Sequence, residues 1–552
     1  MNMEPNTFST NPDPIQPEDF SRPLDAQAPG PIEPGPLDDS SQSLAGPPFY
    51  QNPPGVTLEQ LARAKERARL VKPMEEAFPF FGGISLLFGI MFAFCLYKNP
   101  CGITYPLFTA FACLTGVVVC RKLQVPIKKD SWALIAFALL TGISVWRTAD
   151  QFLIALDGIA LVLTGCIFAL HQFYDDRTWN IGKYLSSIFL YLCRSLGALP
   201  FPFRHTRDYL KNQDNRLVKQ LPLFLGGFLA ALPLLAVIVA LLGQADAVFS
   251  DLTSRIFHGI LRPSVLFGVI FRVVFATLSL YCLVCSCLLR HIPQENAAKK
   301  KAGPAAVIAG LFMITLVYVI FSLIQIVYLF LGRGTLPEGY TYSGYARQGF
   351  FQLLAVAFLN LVMVLCCLKY IRPHPAVNLL LTLICTCTYI MIASACWRMT
   401  LYVNEYHLSY LRVLVLWFLA MAAVLMAGVT WLIHHPAFPL FRYSLAVVMV
   451  FYLALAFSRP DAVIARDYVD HMEGDTFCAD DFYYLYSLGA DAAPALKYLT
   501  DNYSIDSTFS REEMEDRLDN YYLIKAYPCP AELTFRTYNL SFAKAKKLFP
   551  GP

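Results

Sequence analysis

The sequence predicts an all-α polytopic membrane protein of about eleven transmembrane helices, amino terminus inside, with a small, mostly helical extracytoplasmic domain at its carboxyl end. Three observations carry this. Of 552 residues, 56% are hydrophobic and 15% charged, against roughly 25% charged residues in an ordinary soluble domain. The mean hydropathy is +0.48, and the apolar residues fall in unbroken blocks of about twenty, the length that crosses a ~30 Å hydrocarbon core at 1.5 Å per residue. Lys and Arg gather in alternate connections between the blocks, as the positive-inside rule requires.

In chain order, residues 1–55 read as a disordered cytoplasmic tail, with 13 prolines up to Pro54 and mostly acidic charge, too little apolar surface to offset chain entropy. This stretch has no secretory-signal pattern, so the first span is expected to direct insertion itself. Residues 56–76 read as a basic juxtamembrane helix, in which Leu58, Leu61, Ala64 and Ala68 interleave with Arg63, Lys65, Arg67 and Arg69. The membrane domain occupies 77–457. Its spans are Phe78 to Tyr97, Tyr105 to Cys120, Ser131 to Trp146, Phe152 to Phe173, Leu221 to Leu242, Val265 to Leu289, Ala305 to Leu331, Phe350 to Leu368, Ala376 to Trp397, Leu411 to Leu432 and Tyr443 to Phe457. Ser186 to Phe203 is assigned to the interface, because Arg194 at its centre opposes insertion and Pro200 and Pro202 close it early.

With the amino terminus inside, cytoplasmic segments hold 24 Lys and Arg and the five opposite loops hold eight. One missed span would invert this bias downstream, so the parity supports eleven. Residues 458–552 then lie outside and are long enough for a small domain. Asp480 to Leu499 presents Phe482, Leu485, Leu488, Ala492 and Leu496 near one helical face, with Gly489 expected to split it into two helices. Cys478 and Cys529 share this domain and are able to pair in an oxidising compartment.

Three stretches carry a family resemblance. They are Tyr328 to Phe351, containing Leu336-Pro-Glu-Gly, Tyr345-Ala-Arg and Gly349-Phe-Phe; Arg398 to Arg412; and Arg459-Pro-Asp-Ala-Val-Ile-Ala-Arg466 together with Leu488-Gly-Ala-Asp-Ala-Ala-Pro494. Together they resemble the bacterial membrane-protein family catalogued as domain of unknown function 4173, most strongly over 320–500. His407 stands where that family's pattern has glycine, and Arg459 where it has asparagine. The resemblance implies a membrane fold and no activity.

All three stretches fall on the outer side of this topology. Glu338, Tyr345 and Arg347 beside Arg398, Tyr402, Glu405 and Arg412, capped by Asp461 and Arg466, form a candidate outer cluster. Its two readings are a binding site for an anionic or lipid head group, and a structural network joining the tail to the helices. Within the spans, Asp157 and Arg272 lie at similar depth, five to seven residues in, and form a candidate intramembrane pair with structural and functional readings both open. Gln325, Gln352 and Asn360 suit hydrogen bonding between helices. Most of the 16 cysteines lie in apolar blocks, where cysteine behaves as a small apolar residue; no metal site is assigned.

No zinc-protease, phosphate-loop, nucleophile-elbow or dinucleotide motif occurs, so no catalytic residue or cofactor is assigned. The expected partners are the lipid bilayer and, in addition, another membrane or cell-envelope protein; nucleic acid is not implied, and oligomeric state is left open. The leading expectation is a multi-pass cell-membrane protein acting as a surface interaction, sensing or scaffold module. A transporter or flippase using Asp157 and Arg272 is the first alternative. A transferase or hydrolase acting on lipid-linked substrates, with two of Glu338, Glu405 and Asp461 in one cleft, is the second.

Overall fold

The structure is a computed structural model describing residues 66, 69–176, 179, 181–212, 263–289, 302–327, 342–472, 474, 476–506, 510–526 and 533–550, isolated positions between 220 and 249, and the backbone alone at 263 and 342–351. The expected tail at 1–55, most of the expected span at Leu221 to Leu242, Glu338 and Cys529 lie outside the described residues. The basic segment at 56–76 is described continuously only from residue 69.

In chain order the bundle runs α1 (Phe78–Leu96), α2 (Thr104–Lys122), α3 (Ser131–Arg147), α4 (Gln151–Phe173), α5 (Ile181–Gly197), α6 (Pro200–Asn212), α7 (Pro263–Leu288), α8 (Ala305–Gln325), α9 (Tyr342–Tyr370), α10 (Pro375–Tyr406), α11 (Tyr410–His434) and α12 (Leu440–Ser458). Among the described residues, nine of these are long and apolar enough to cross a membrane; α3 is shorter at 17 residues, and α5 and α6 meet at a 41° bend. The bend falls in the stretch assigned to the interface. On α5, Tyr184, Ser187, Ile188 and Tyr191 are buried at helical spacing, while Leu185, Phe189 and Leu196 face outward.

The helices are built for lipid. On α1 the buried positions Phe81, Ser85, Gly89 and Ala93 recur every four residues, while Leu86, Leu87, Ile90 and Phe94 are exposed. Between helices in lipid there is no hydrophobic driving force, so small residues that permit close backbone approach take the interface. At Gly89 a Cβ would lie 2.5 Å from the Val273 carbonyl oxygen of α7.

The bundle has two halves. Helices α1, α2, α3, α4, α5 and α7 pack in a ring, and α8, α9 and α11 pack around α10, with α12 lying on α11. The halves join where α12 lies against α3, and there the Tyr452 hydroxyl donates to Asp157 at 2.6 Å while Ser144 donates to its other oxygen at 3.0 Å. Asp157 therefore does not pair with Arg272. The Arg272 guanidinium stacks 4.8 Å from the Tyr97 ring and donates to its own helix at the Gly268 carbonyl, 3.2 Å away. Equal depth had suggested a pair, but depth leaves rotation about the helix axis unspecified, and the two side chains face different neighbours. The polar atoms of the second half bond across helices: Tyr318 donates to Asn360, and Asn360 to Thr388, at 2.8 and 2.9 Å. Ser394 and Arg398 both donate to Gln325, at 2.6 and 3.2 Å.

Beyond α12 the chain turns at Arg459, whose φ of 54° and ψ of 68° stop one helix and start the next. A cap domain follows: α13 (Pro460–Asp470), β1 (Thr476–Phe477), α14 (Ala479–Ser487), a 3₁₀ turn at Ala490–Ala492, α15 (Ala493–Asn502), β2 (Ser504–Ile505), α16 (Arg511–Asp519), α17 (Tyr521–Ala526) and α18 (Leu540–Leu548). The strands pair in parallel, Thr476 opposite Ser504. The expected break falls at Leu488 and Gly489, between α14 and the 3₁₀ turn. Phe482, Leu485, Leu496 and Tyr521 form a core that continues into Cys101, Val145 and Ala149 at the ends of the membrane helices. Cap and bundle thus share one hydrophobic core.

Candidate functional site

The cap is fastened to the corner between α3 and α4 by one carboxylate and one side-chain amide, Asp491 and Asn539. Asp491, almost wholly buried, accepts from the Thr148 hydroxyl at 2.8 Å, the Ala149 amide at 2.9 Å, the Ser541 hydroxyl at 2.6 Å and Arg459 Nε at 2.7 Å, and a second Arg459 nitrogen completes the pair. A buried charge is tolerated when its lone pairs are filled and a counter-charge is present, and Asp491 meets both conditions. Two residues of the same stretch meet nearby: the Gly489 amide donates to Asp461 at 2.9 Å. A Cβ at Gly489 would stand 2.5 Å from that Asp461 oxygen, so the close approach needs glycine. The paired stretches that carried the family resemblance are therefore joined to one another, Arg459 to Asp491 and Asp461 to Gly489.

Other contacts extend the junction. Asn539 Nδ2 donates to the carbonyls of Cys101, Val145 and Thr148 at 2.9, 3.2 and 3.0 Å, filling acceptors left over where helices end. The Tyr538 carbonyl accepts from the Ile103 amide at 2.9 Å. Asp150 caps α4 through the Phe152 and Leu153 amides, and its second oxygen accepts from the Tyr410 hydroxyl at 2.6 Å. Burial, with Asp150 and Asp491 close by, pushes the Asp461 carboxyl up to about 6. Burial also pushes the Lys525 ammonium down, while Asp461 draws it up.

At the far end of α10 lies a polar pocket of 460 Å³, bordered by Asn404, Glu405 and His407 from the bundle side and by Tyr468, His471 and Asp481 among the cap residues. Arg412 closes α10 by donating to the carbonyls of Tyr406, at 2.5 Å, and His407, the placement a helix carboxyl end favours for a cation. Its guanidinium also lies 4.1 Å from the Tyr402 ring. The cap reaches the same turn: Asp467 accepts from the Leu408 amide and Tyr484 donates to the Leu408 carbonyl, both at 3.0 Å. Burial raises the Asp481 carboxyl, but bonds from Tyr468 and the Cys478 amide outweigh it and hold the group below the usual carboxylate range.

The expected outer cluster is thus divided among several places. Tyr402, Glu405 and Arg412 gather at the end of α10, whereas Arg398 turns inward to Gln325. Asp461 lies in the junction, and Arg466 is exposed on α13 beside Asp470, 3.4 Å away. Tyr345 and Arg347 fall in α9 where only the backbone is described, and Glu338 lies outside the described residues. Glu405 borders the pocket and Asp461 does not, so these two carboxylates do not share it.

Sequence reasoning missed His407, Asp467 and His471, whose ligand-type atoms all lie within 4.8 Å of one another. The four-residue spacing of Asp467 and His471 on one helix was legible; the approach of His407 across the turn was not. At His407 φ is 60° and ψ 176°, a region almost confined to glycine, and Arg459 also has positive φ. The two positions that depart from the resembled pattern are both ones where glycine or asparagine is the easier fit.

A second cavity, of 780 Å³, lies between the two halves and is lined by Asp176, Trp179, Lys369, Arg372 and Arg442 among mostly apolar side chains. Near it His171, Tyr184 and Lys128 converge on Asp176, and Arg442 pairs with Asp130 at 2.8 Å.

A family model described as Domain of unknown function (DUF4153) matches residues 134–499. That number differs from 4173, so the finer assignment is replaced, and an uncharacterised domain family is what stands. No curated protein and no solved structure matches. The matched span runs from α3 into α15 and includes Asp157, His407, Asp461 and Asp491, while Asn539 lies beyond it.

Proposed function

We propose a function from geometry and charge distribution, because the chain belongs to the family described as Domain of unknown function (DUF4153) and that description carries no chemistry. The chain is a multi-pass protein of the cell membrane whose cap faces outward and works as a ligand-binding and sensing module. One observation carries this reading: the polar pocket is walled on one side by Asn404, Glu405 and His407 at the end of a membrane helix and on the other by cap residues. An occupant would touch both. Because Asp467 and Tyr484 hold Leu408, binding that moves α13 or α14 pulls directly on the turn between α10 and α11. Transport through Asp157 and Arg272 loses its support, since Asp157 is closed by Ser144 and Tyr452 and Arg272 bonds elsewhere.

The outward orientation rests on the lysine and arginine asymmetry and is tested by labelling. Thr476 borders the pocket and Lys129 lies in the connection between α2 and α3; both are exposed. In intact cells, a membrane-impermeant maleimide should modify Thr476→Cys, and should modify Lys129→Cys only after permeabilisation. The reverse pattern would overturn the proposal.

A further inference from the structure

We propose that His407, Asp467 and His471 form a binding site for a divalent transition-metal ion of the Zn²⁺ class. The inference rests on the proposed function and deepens it, since it names a ligand class for the same pocket. Two imidazoles and one carboxylate are a donor set suited to Zn²⁺, which takes three protein ligands and leaves a fourth position open when it has a task beyond structure. Tetrahedral bonds of ~2.0–2.2 Å place ligand atoms roughly 3.4 Å apart. The three side chains already bring their donor atoms within 4.8 Å of one another, so side-chain rotation through about an ångström closes the set.

The surroundings fit a metal better than they fit a packing cluster. His471 Nδ1 lies 2.8 Å from the Asp467 carbonyl and 3.5 Å from an Asp467 carboxylate oxygen, so the imidazole is already held beside the carboxylate that would share the ion, and either ring nitrogen can serve as a ligand atom. Asp467 is held by the Leu408 amide at 3.0 Å, which fixes the carboxylate as outer-shell partners of metal ligands do. His407 occupies a backbone conformation that favours glycine, yet its ring is brought beside both His471 and Tyr468, with centroids 5.8 and 5.7 Å away. Both histidines and Glu405 border the polar pocket, so the open coordination position faces solvent. Imidazole ligands also accept Ni²⁺, Co²⁺ and Cu²⁺, with affinity following the usual order of these ions.

The test uses the full chain, purified in detergent and stripped with a chelator. Zn²⁺ alone is titrated against a chromogenic competitor, and Co²⁺ is then added to read its visible absorption. One equivalent should bind per chain, with a Co²⁺ spectrum of tetrahedral or five-coordinate type. H407G should weaken Zn²⁺ binding at least tenfold; because it removes the strained side chain, it should leave metal-free thermal stability equal or higher. D467N and H471A should weaken binding by a similar factor. Absence of stoichiometric binding in the parent chain, or binding of unchanged affinity in H407G and H471A, would overturn the inference. Failure here would leave the maleimide result intact, and so would separate loss of the metal from loss of the outward pocket.

Discussion

Where α1 meets α7, Gly89 brings the two helices together against the Val273 carbonyl and Thr277, whereas the cap meets the bundle through Asp491 and Asn539, with five hydrogen bonds to Cys101, Val145, Thr148 and Ala149 and the Arg459 guanidinium as counter-charge to Asp491. The difference follows from solvent. Inside lipid, helices gain by close van der Waals contact, and a polar side chain adds little. At the membrane edge, water rewards apolar burial in the cap, but it must be displaced from the exposed ends of the helices, whose carbonyls and amides then need partners. Asp491 and Asn539 are those partners.

The largest expected effect falls on the junction. In Asp491→Ala, Arg459 loses its buried counter-charge, and removing one member of such a pair costs about 3–5 kcal/mol. The cap should become sensitive to protease while α7 to α12 remain folded. If the membrane helices unfold along with the cap, the contrast between a polar junction at the membrane edge and a bundle packed for lipid breaks.

Next is a change of opposite sign. The Asp461 carboxyl titrates at about 6 in the folded chain against an ordinary 3.8, so between those values the native state keeps a proton that the unfolded chain has released. Stability falls as pH rises through that window and stays at the lower level above it, by on the order of 3 kcal/mol. Asp461→Asn keeps an acceptor for the Gly489 amide and should remove this slope. Thermal unfolding from about pH 4 to about pH 8 should show the variant gaining on the parent as pH rises; a constant difference would mean that Asp461 is not buried as described.

Within the bundle, Gly89→Ala forces a methyl against Thr277 and the Val273 carbonyl, an overpacking that costs roughly 1–3 kcal/mol. Gly83→Ala meets open space and serves as the control without a loss. The smallest effect is expected at Asn360→Ala, which breaks two interhelical bonds worth ~0.6 kcal/mol each on average. A loss there as large as that of Asp491→Ala would erase the distinction between the regions.

The spans were legible because a block of about twenty apolar residues has one stable outcome in lipid, and even the short Ser131 helix was visible between its basic and polar flanks. Partners were not. Depth along a helix can be counted, but Tyr452 reaching Asp157 depends on rotation and on a contact 295 residues distant. Thr148 and Asp491 are 343 residues apart, and nothing in either stretch names the other. His407 looked only like a departure from a glycine position; its proximity to Asp467 and His471 appears once the turn after α10 is laid against α13.

The account depends most on the cap being held to the bundle as one folded body. Hydrogen exchange of the full chain in lipid nanodiscs tests this at the amides of Ile103, Ala149, Leu408 and Gly489, which donate across the junction or its supporting turns. The account predicts slow exchange at all four in the parent chain, and fast exchange at Ala149 in Asp491→Ala with the interior of α10 still protected. Fast exchange at all four in the parent, with the membrane helices protected, would contradict it.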